Sequence, residues 1–228
     1  MSHIFNSPTH QFTNSPILMV LAFDLDGTIS DAALGITSSI NYALEKMGHP
    51  ARDPASLNKY IGPPLQDIFG GLLNTEEAAV VRAAVTFFRE RYFSVGYKEN
   101  VLYPGMMDVI RELKRSGHTL YIATAKRTDI AGAVTDYFGI TACFEEVMGC
   151  GLKRKKATLL HEIEARDSET PLMMIGDRSQ DMIAGKQTGC SCIGVLWGYG
   201  TRKELLDASA DKLVETPREL ASCIEHWR

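Results

Sequence analysis

The sequence lacks the long apolar runs, paired cysteines and charge excess that mark several classes of protein. Nowhere do eighteen apolar residues follow one another, and the first sixteen residues lack the apolar stretch of a signal peptide, so cytoplasmic location is the default expectation. The five cysteines are odd in number and form no Cys-x-x-Cys pair, which argues against structural zinc. A net charge of -4 gives no general attraction to nucleic acid or to an anionic membrane.

The order of strand and helix patterns predicts an α/β fold. With 45% apolar and 23% charged residues, the composition is that of a globular protein. From residue 104 onward, apolar runs alternate with helical patterns, which predicts a Rossmann-like parallel sheet with helices on both faces. The predicted strands follow the apolar runs at 17–23, 119–124, 144–148, 171–177 and 192–198.

Two segments depart from this alternation. Residues 1–16 are polar and repeat Asn-Ser-Pro, which is typical of a flexible N-terminal tail. Residues 31–102 show helical spacing with almost no strand signal, which predicts an inserted helical cap domain and leaves 17–30 and 103–228 as the α/β core domain. Within the insertion, Asn74 and Glu77 resemble a capping box that would begin a helix.

Acidic residues stand where the predicted strands end. Asp24 and Asp26 close the first strand and point to the same side, because side chains alternate along a strand. Thr124 ends the second strand, Asp177 ends a later one, and Asp181 follows one helical turn further on. Since ligands bind outside the carboxyl ends of parallel strands, these side chains are expected to converge on one pocket.

Four carboxylates in one pocket would repel one another unless a cation lies among them. Oxygen-only donors, without histidine or cysteine at matching positions, favour Mg²⁺, which shares its coordination with water and substrate phosphate. A phosphoryl group needs donors while its charge spreads over the equatorial oxygens, and Thr124 and a lysine can supply them. The basic run offers Lys153, Lys155 and Lys156 for that role. The set predicts phosphoryl chemistry.

These motifs together resemble those of a known superfamily. Asp-Leu-Asp-Gly-Thr at 24–28, Thr124, a lysine near 156 and Gly-Asp-Arg-Ser-Gln-Asp at 176–181 are similar to the four motifs of the haloacid dehalogenase superfamily. The resemblance runs from about Leu18 to about Leu220. The helical insertion, YIGPPLQDIF and GVLWGYG make the chain similar to the phosphoglycolate phosphatase-like branch.

The resemblance implies a magnesium-dependent phosphatase that forms an aspartyl phosphate. Asp24 would be the nucleophile, and Asp26 would serve as general acid and then general base. Thr124 and, by family spacing, Lys156 would hold the phosphoryl oxygens. The Mg²⁺ ligands implied are the Asp24 carboxylate, the Asp26 main-chain carbonyl and Asp177, with Asp181 in support.

The resemblance also implies a small phosphorylated metabolite as the partner, with phosphoglycolate favoured. The loop NKYIGPPLQ at 58–66 is the expected substrate contact, because Lys59 and the turn at Gly62 could present a cation and main-chain amides to a small anion. Ala125, next to Thr124, completes the expected substrate-binding set. The chain could be a monomer or a homodimer.

Several alternatives remain open at this point. A 5'-nucleotidase and a phosphomutase of the same superfamily share the core residues. A haloacid dehalogenase needs no magnesium and is not expected to carry an acid at position 26. A phospho-acceptor signalling module would have an acidic pair before the acceptor and a chain of about half this length.

Overall fold

The computed structural model describes residues 17–151 and 154–227. The predicted tail at 1–16 and the candidate Lys153 lie outside the described residues. The strands of the described chain are β1 (Val20–Phe23), β2 (Ser30–Asp31), β3 (Val101–Leu102), β4 (Thr119–Thr124), β5 (Glu146–Gly149), β6 (Leu172–Gly176), β7 (Ser191–Val195) and β8 (Lys212–Val214). Its α-helices are α1 (Ala33–Lys46), α2 (Pro54–Leu57), α3 (Leu65–Leu73), α4 (Ala78–Ser94), α5 (Met106–Arg115), α6 (Thr128–Tyr137), α7 (Lys156–Glu164), α8 (Ser179–Thr188), α9 (Arg202–Asp207) and α10 (Pro217–Glu225).

Six strands form one parallel sheet in the order β5-β4-β1-β6-β7-β8. The central strand β1 is buried throughout, and Phe23 lies between Ile122 of β4 and Ile175 of β6. Alternate residues of β1 pack into two apolar clusters, one beneath α5, α6 and α10 and the other beneath α7, α8 and α9. The predicted α/β class, with helices on both faces of a parallel sheet, is confirmed.

The ends of the sheet differ from the sequence prediction. The run at 192–198 gives a strand that stops at Val195, and residues 196–200 leave the sheet as a loop. The edge strand β8 was missed because it has three residues and begins with an exposed lysine, which gives no alternation to detect.

Helices α1 to α4 enclose an apolar cluster of their own, which includes Phe69 and Phe88 in edge-to-face contact at 6.2 Å. The predicted capping box is wrong. Asn74 ends α3 in the left-handed conformation, at φ 48°, which asparagine tolerates better than most residues. Helix α4 begins after Glu77, without a side-chain capping bond.

The chain enters and leaves this helical segment through the antiparallel pair β2–β3, where Ser30 lies opposite Leu102. That pairing brings the two connections to one place beside the sheet. The division into a core domain and a cap domain at 31–102 stays a prediction. No helix in the described ranges combines the length and the apolar character needed to cross a membrane.

Candidate active site

Three neighbouring strands bring the predicted acids and the hydroxyl to one edge of the sheet. Asp24 follows β1, Thr124 ends β4 and Asp177 follows β6, and β1 lies between β4 and β6. All three side chains are buried. The chain turns away after Asp24 through Gly27, at φ 86°, where a Cβ would overlap the Asp177 carboxylate. Glycine is therefore required there both for conformation and for space.

The carboxylates of Asp24, Asp177 and Asp181 form a buried triad whose ligand atoms lie within 4.8 Å of one another. The Asp177 carboxylate accepts hydrogen bonds from the Tyr199 main-chain N–H at 2.8 Å and from the Thr28 hydroxyl at 3.3 Å. Burial, and next the charges of Asp181 and Asp24, raise the pKa of Asp177 well above its usual range. Such a cluster could hold a metal ion.

Lys156 begins α7 and reaches into this triad. Its ammonium lies 3.1 Å from Asp24 Oδ1 and forms a close ion pair with Asp181. Burial alone would lower the pKa of Lys156, but the charges of Asp181 and Asp24 outweigh burial and raise it. Burial raises the pKa of Asp181 to about 6, although Lys156 opposes this shift. Lys155, by contrast, is exposed. The lysine beside the predicted nucleophile is thus Lys156, the residue expected from family spacing.

The side chain of Asp26 lies outside the triad and is held by a residue that sequence reasoning missed. Lys126 Nζ lies 2.7 Å from Asp26 Oδ2 and donates a hydrogen bond to the Tyr92 hydroxyl at 2.8 Å. Burial raises the pKa of Asp26, although the charge of Lys126 opposes the shift. Its position two residues after Thr124, at the end of a predicted strand, could have indicated that Lys126 lies near the site.

The site opens into a cavity of about 480 Å³ between the sheet edge and the helical segment. Asp24, Thr124, Ala125 and Lys156 line it, as does the loop at 61–64. The predicted contact Lys59 does not: it is exposed, and its ammonium lies 5.1 Å from the centre of the Tyr60 ring. The structure therefore does not bring Lys59 to the site.

Arg178 connects the acidic triad to the loop at 61–64. Its main-chain N–H donates to Asp181 at 3.0 Å, and its guanidinium donates to the main-chain carbonyl of Ile61 at 2.5 Å and to Glu204 at 3.0 Å. Gly62 has φ 112°, and a Cβ at this position would lie 3.4 Å from Arg178 Cγ. The loop over the cavity and the acidic triad are thus fixed to one residue.

The comparison with protein families agrees with this geometry. Residues 21–195 match the model described as haloacid dehalogenase-like hydrolase. The chain belongs to the haloacid dehalogenase-like hydrolase family. This confirms the resemblance predicted from the four motifs, and the matched range contains every residue of the acidic triad together with Lys156.

Individual members of the family resemble the chain over most of its length. A 5'-nucleotidase of Pseudomonas aeruginosa is 35% identical over 192 residues, which are 81% of this chain and 86% of that protein. A phosphoglycolate phosphatase of Vibrio parahaemolyticus is 24% identical over 221 residues, which are 91% of this chain and 96% of that protein. A crystal structure of a predicted phosphatase from Clostridium acetobutylicum has a TM-score of 0.84 and 32% identity, and covers 91% of this chain and 98% of that one.

Proposed function

We propose that this haloacid dehalogenase-like hydrolase is a magnesium-dependent phosphatase that cleaves a small phosphate monoester through an aspartyl phosphate on Asp24. The observation that carries the proposal is the buried triad of Asp24, Asp177 and Asp181 with Lys156 3.1 Å from Asp24. Asp24, Asp181 and Lys156 line one cavity. Acids that could hold a metal and a cation that could hold phosphate meet at one nucleophile.

The residues present fit a divalent cation. Four buried or largely buried carboxylates face the two ammonium groups of Lys126 and Lys156, so the site holds two excess negative charges when every group is ionised. Asp24 Oδ1 is buried, and apart from the Lys156 ammonium at 3.1 Å it has no polar partner among the described residues. Oxygen ligands alone favour Mg²⁺.

The proposed ligands are the Asp24 carboxylate, the Asp26 main-chain carbonyl and Asp177, with Asp181 supporting them. When bound, Mg²⁺ would neutralise charge on the phosphoryl oxygens and bring the anionic ester close to an anionic nucleophile. The hydrogen bonds from Tyr199 and Thr28 hold the Asp177 carboxylate in place for this role.

In the first step an Asp24 carboxylate oxygen attacks phosphorus, the bond from phosphorus to the ester oxygen breaks, and the leaving oxygen takes a proton from Asp26. In the second step Asp26 removes a proton from water, whose oxygen attacks the phosphorus of the aspartyl phosphate. Inorganic phosphate leaves and the Asp24 carboxylate is restored. Lys126, at 2.7 Å, orients the Asp26 carboxylate for both transfers.

Thr124 and Lys156 would hold the transferring phosphoryl group. Thr124 is buried at the end of β4 and lines the cavity, and Lys156 already lies beside the attacking carboxylate. Fixed donors placed where charge develops are worth more in a water-poor site than in solution. Ala125 lines the cavity next to Thr124, where its main-chain N–H is a further candidate donor.

The leaving group would be a small metabolite enclosed by the loop at 61–64 and by α4, which would act as a cap that excludes water. Phosphoglycolate is the expected substrate, and the Vibrio relative is named a phosphoglycolate phosphatase. The name of the Pseudomonas relative favours nucleoside monophosphates as the second candidate. A panel of both kinds of ester, with kcat/KM measured for each, separates the two candidates.

The deciding experiment measures hydrolysis of an aryl phosphate with Mg²⁺ and with a chelator, for the wild type, Asp24→Asn and the control Asp108→Asn. Asp108 is an exposed acid of α5, so its variant should match the wild type. We expect activity to be lost with chelator and in Asp24→Asn, and borohydride reduction of acid-quenched enzyme to mark residue 24. Activity that survives chelation would refute the proposed magnesium dependence, and activity that survives Asp24→Asn would refute the proposed nucleophile.

A further inference from the structure

Two arginines from different parts of the fold line the cavity that Asp24 also lines. Arg89 belongs to α4, and Arg127 lies in the loop between β4 and α6. Arg89 and Phe93 are four residues apart, so they share one face of α4. The Arg127 guanidinium lies 5.2 Å from the centre of the Phe93 ring. The helical segment and the sheet therefore each present an arginine to the same part of the cavity.

The positive charge of this pair is only partly balanced. Arg127 donates two hydrogen bonds to the Asp129 carboxylate, at 3.0 and 2.6 Å. Arg89 is half-buried, and its side chain makes neither a hydrogen bond nor an ion pair with any residue in the described ranges. Burial, and next the charge of Arg127, lower the pKa of Arg89. The Asp129 carboxylate acts on Arg89 through its charge alone, without a hydrogen bond or an ion pair.

Other half-buried arginines of this protein are paired. Arg91, two residues further along α4, donates to both carboxylate oxygens of Glu99 at 2.7 and 2.9 Å, and Arg178 is paired with Glu204. Partial burial of a guanidinium next to another positive charge costs free energy unless an anion binds there. The environment of Arg89 is therefore that of a group that binds an anionic ligand.

We propose that Arg89 and Arg127 bind a second anionic group, carried by the leaving group of the substrate. The inference rests on the proposed phosphatase function and narrows its substrates to phosphate monoesters that also bear a carboxylate, a sulfonate or another phosphate. Phe93 and Ile130 line the same cavity, so the carbon portion between the two anionic ends would contact apolar side chains. The planar guanidinium groups suit two-point recognition of such anions.

The test compares two aryl phosphates of nearly the same shape, 4-carboxyphenyl phosphate and 4-carbamoylphenyl phosphate, with Mg²⁺ present. The wild type should prefer the carboxylate by about tenfold or more in kcat/KM, the range expected for hydrogen bonds to a charged group. Arg89→Met should abolish that preference while leaving kcat/KM for the amide within about threefold, since a neutral group gains little from a cation. Arg89→Lys should retain part of the preference.

Arg82→Met is the matched control, because Arg82 is exposed on the same helix and should change neither rate. Arg127→Met provides a second variant in case Arg89→Met does not fold, and thermal unfolding identifies any misfolded protein. Equal rates for the two esters in the wild type, or a preference that survives both Arg89→Met and Arg127→Met, would overturn the inference. Failure of the wild type to hydrolyse either ester would instead count against the proposed phosphatase function.

Discussion

Replacing Lys156 by methionine should destabilise the metal-free protein more than any ordinary surface change. The Lys156 side chain is 9% exposed, and the carboxylates beside it, those of Asp24 and Asp181, are 8% and 1% exposed. Removing one partner of a buried ion pair leaves a buried charge uncompensated, which costs about 3–5 kcal/mol. Asp181 can recover part of that cost by taking up a proton, so a loss near about 3 kcal/mol is expected.

The assay is urea unfolding in EDTA at alkaline pH, where Asp181 starts ionised in the wild type. Lys155→Met is the control, because Lys155 is exposed in the adjacent position and should change stability by less than about 0.5 kcal/mol. Added Mg²⁺ should narrow the gap between Lys156→Met and the wild type, since a bound cation compensates the same carboxylates. Equal unfolding free energies for both variants in EDTA would refute the assigned ion pairs.

Three further outcomes follow from the same contacts. Mg²⁺ at one hundred times its dissociation constant should raise the unfolding free energy by about 2.7 kcal/mol, and Asp177→Asn should abolish that gain in thermal unfolding. Gly27→Ala should lower the unfolding free energy in urea by about 1–3 kcal/mol or more, and calorimetry should show weaker Mg²⁺ binding. The reasons are that φ is 86° and that the new methyl group would overlap the Asp177 carboxylate. Thr201→Ala should cost about 1 kcal/mol in urea unfolding, because the Thr201 hydroxyl caps α9 at the Glu204 N–H; a loss under about 0.3 kcal/mol would count against the cap.

The acids of the site could be predicted because the residues next to each one in the sequence indicate where it lies in the fold. A strand buried on both faces gives a continuous apolar run, and an aspartate that ends such a run must lie at a sheet edge. That argument placed Asp24, Thr124 and Asp177 at one edge, where the structure has them. The helix after Asp177 likewise brought Asp181 within one turn of the same edge.

Local sequence could not separate the cations in the same way. Lys59 stands in a suitable turn, but its ammonium packs over the Tyr60 ring instead of entering the cavity. Lys126 and Arg178 were passed over because their partners lie far away along the chain. A lysine or arginine has the same appearance in a sequence whether its charge faces water or a buried carboxylate.

Two of the missed contacts join the helical segment directly to the groups proposed for catalysis. Lys126 connects Tyr92 of α4, which lies 34 residues earlier in the chain, to Asp26. Arg178 connects the carbonyl of Ile61, which lies 117 residues earlier, to the loop of Asp177. The second acceptor is a main-chain atom, so no side chain at position 61 could reveal it. Movement of the helical segment would break the hydrogen bonds from Lys126 to Tyr92 and from Arg178 to Ile61, and these two donors also contact Asp26 and Asp181. If the helical segment acts as the proposed cap, we therefore expect its closure to be coupled to the arrangement of the acids.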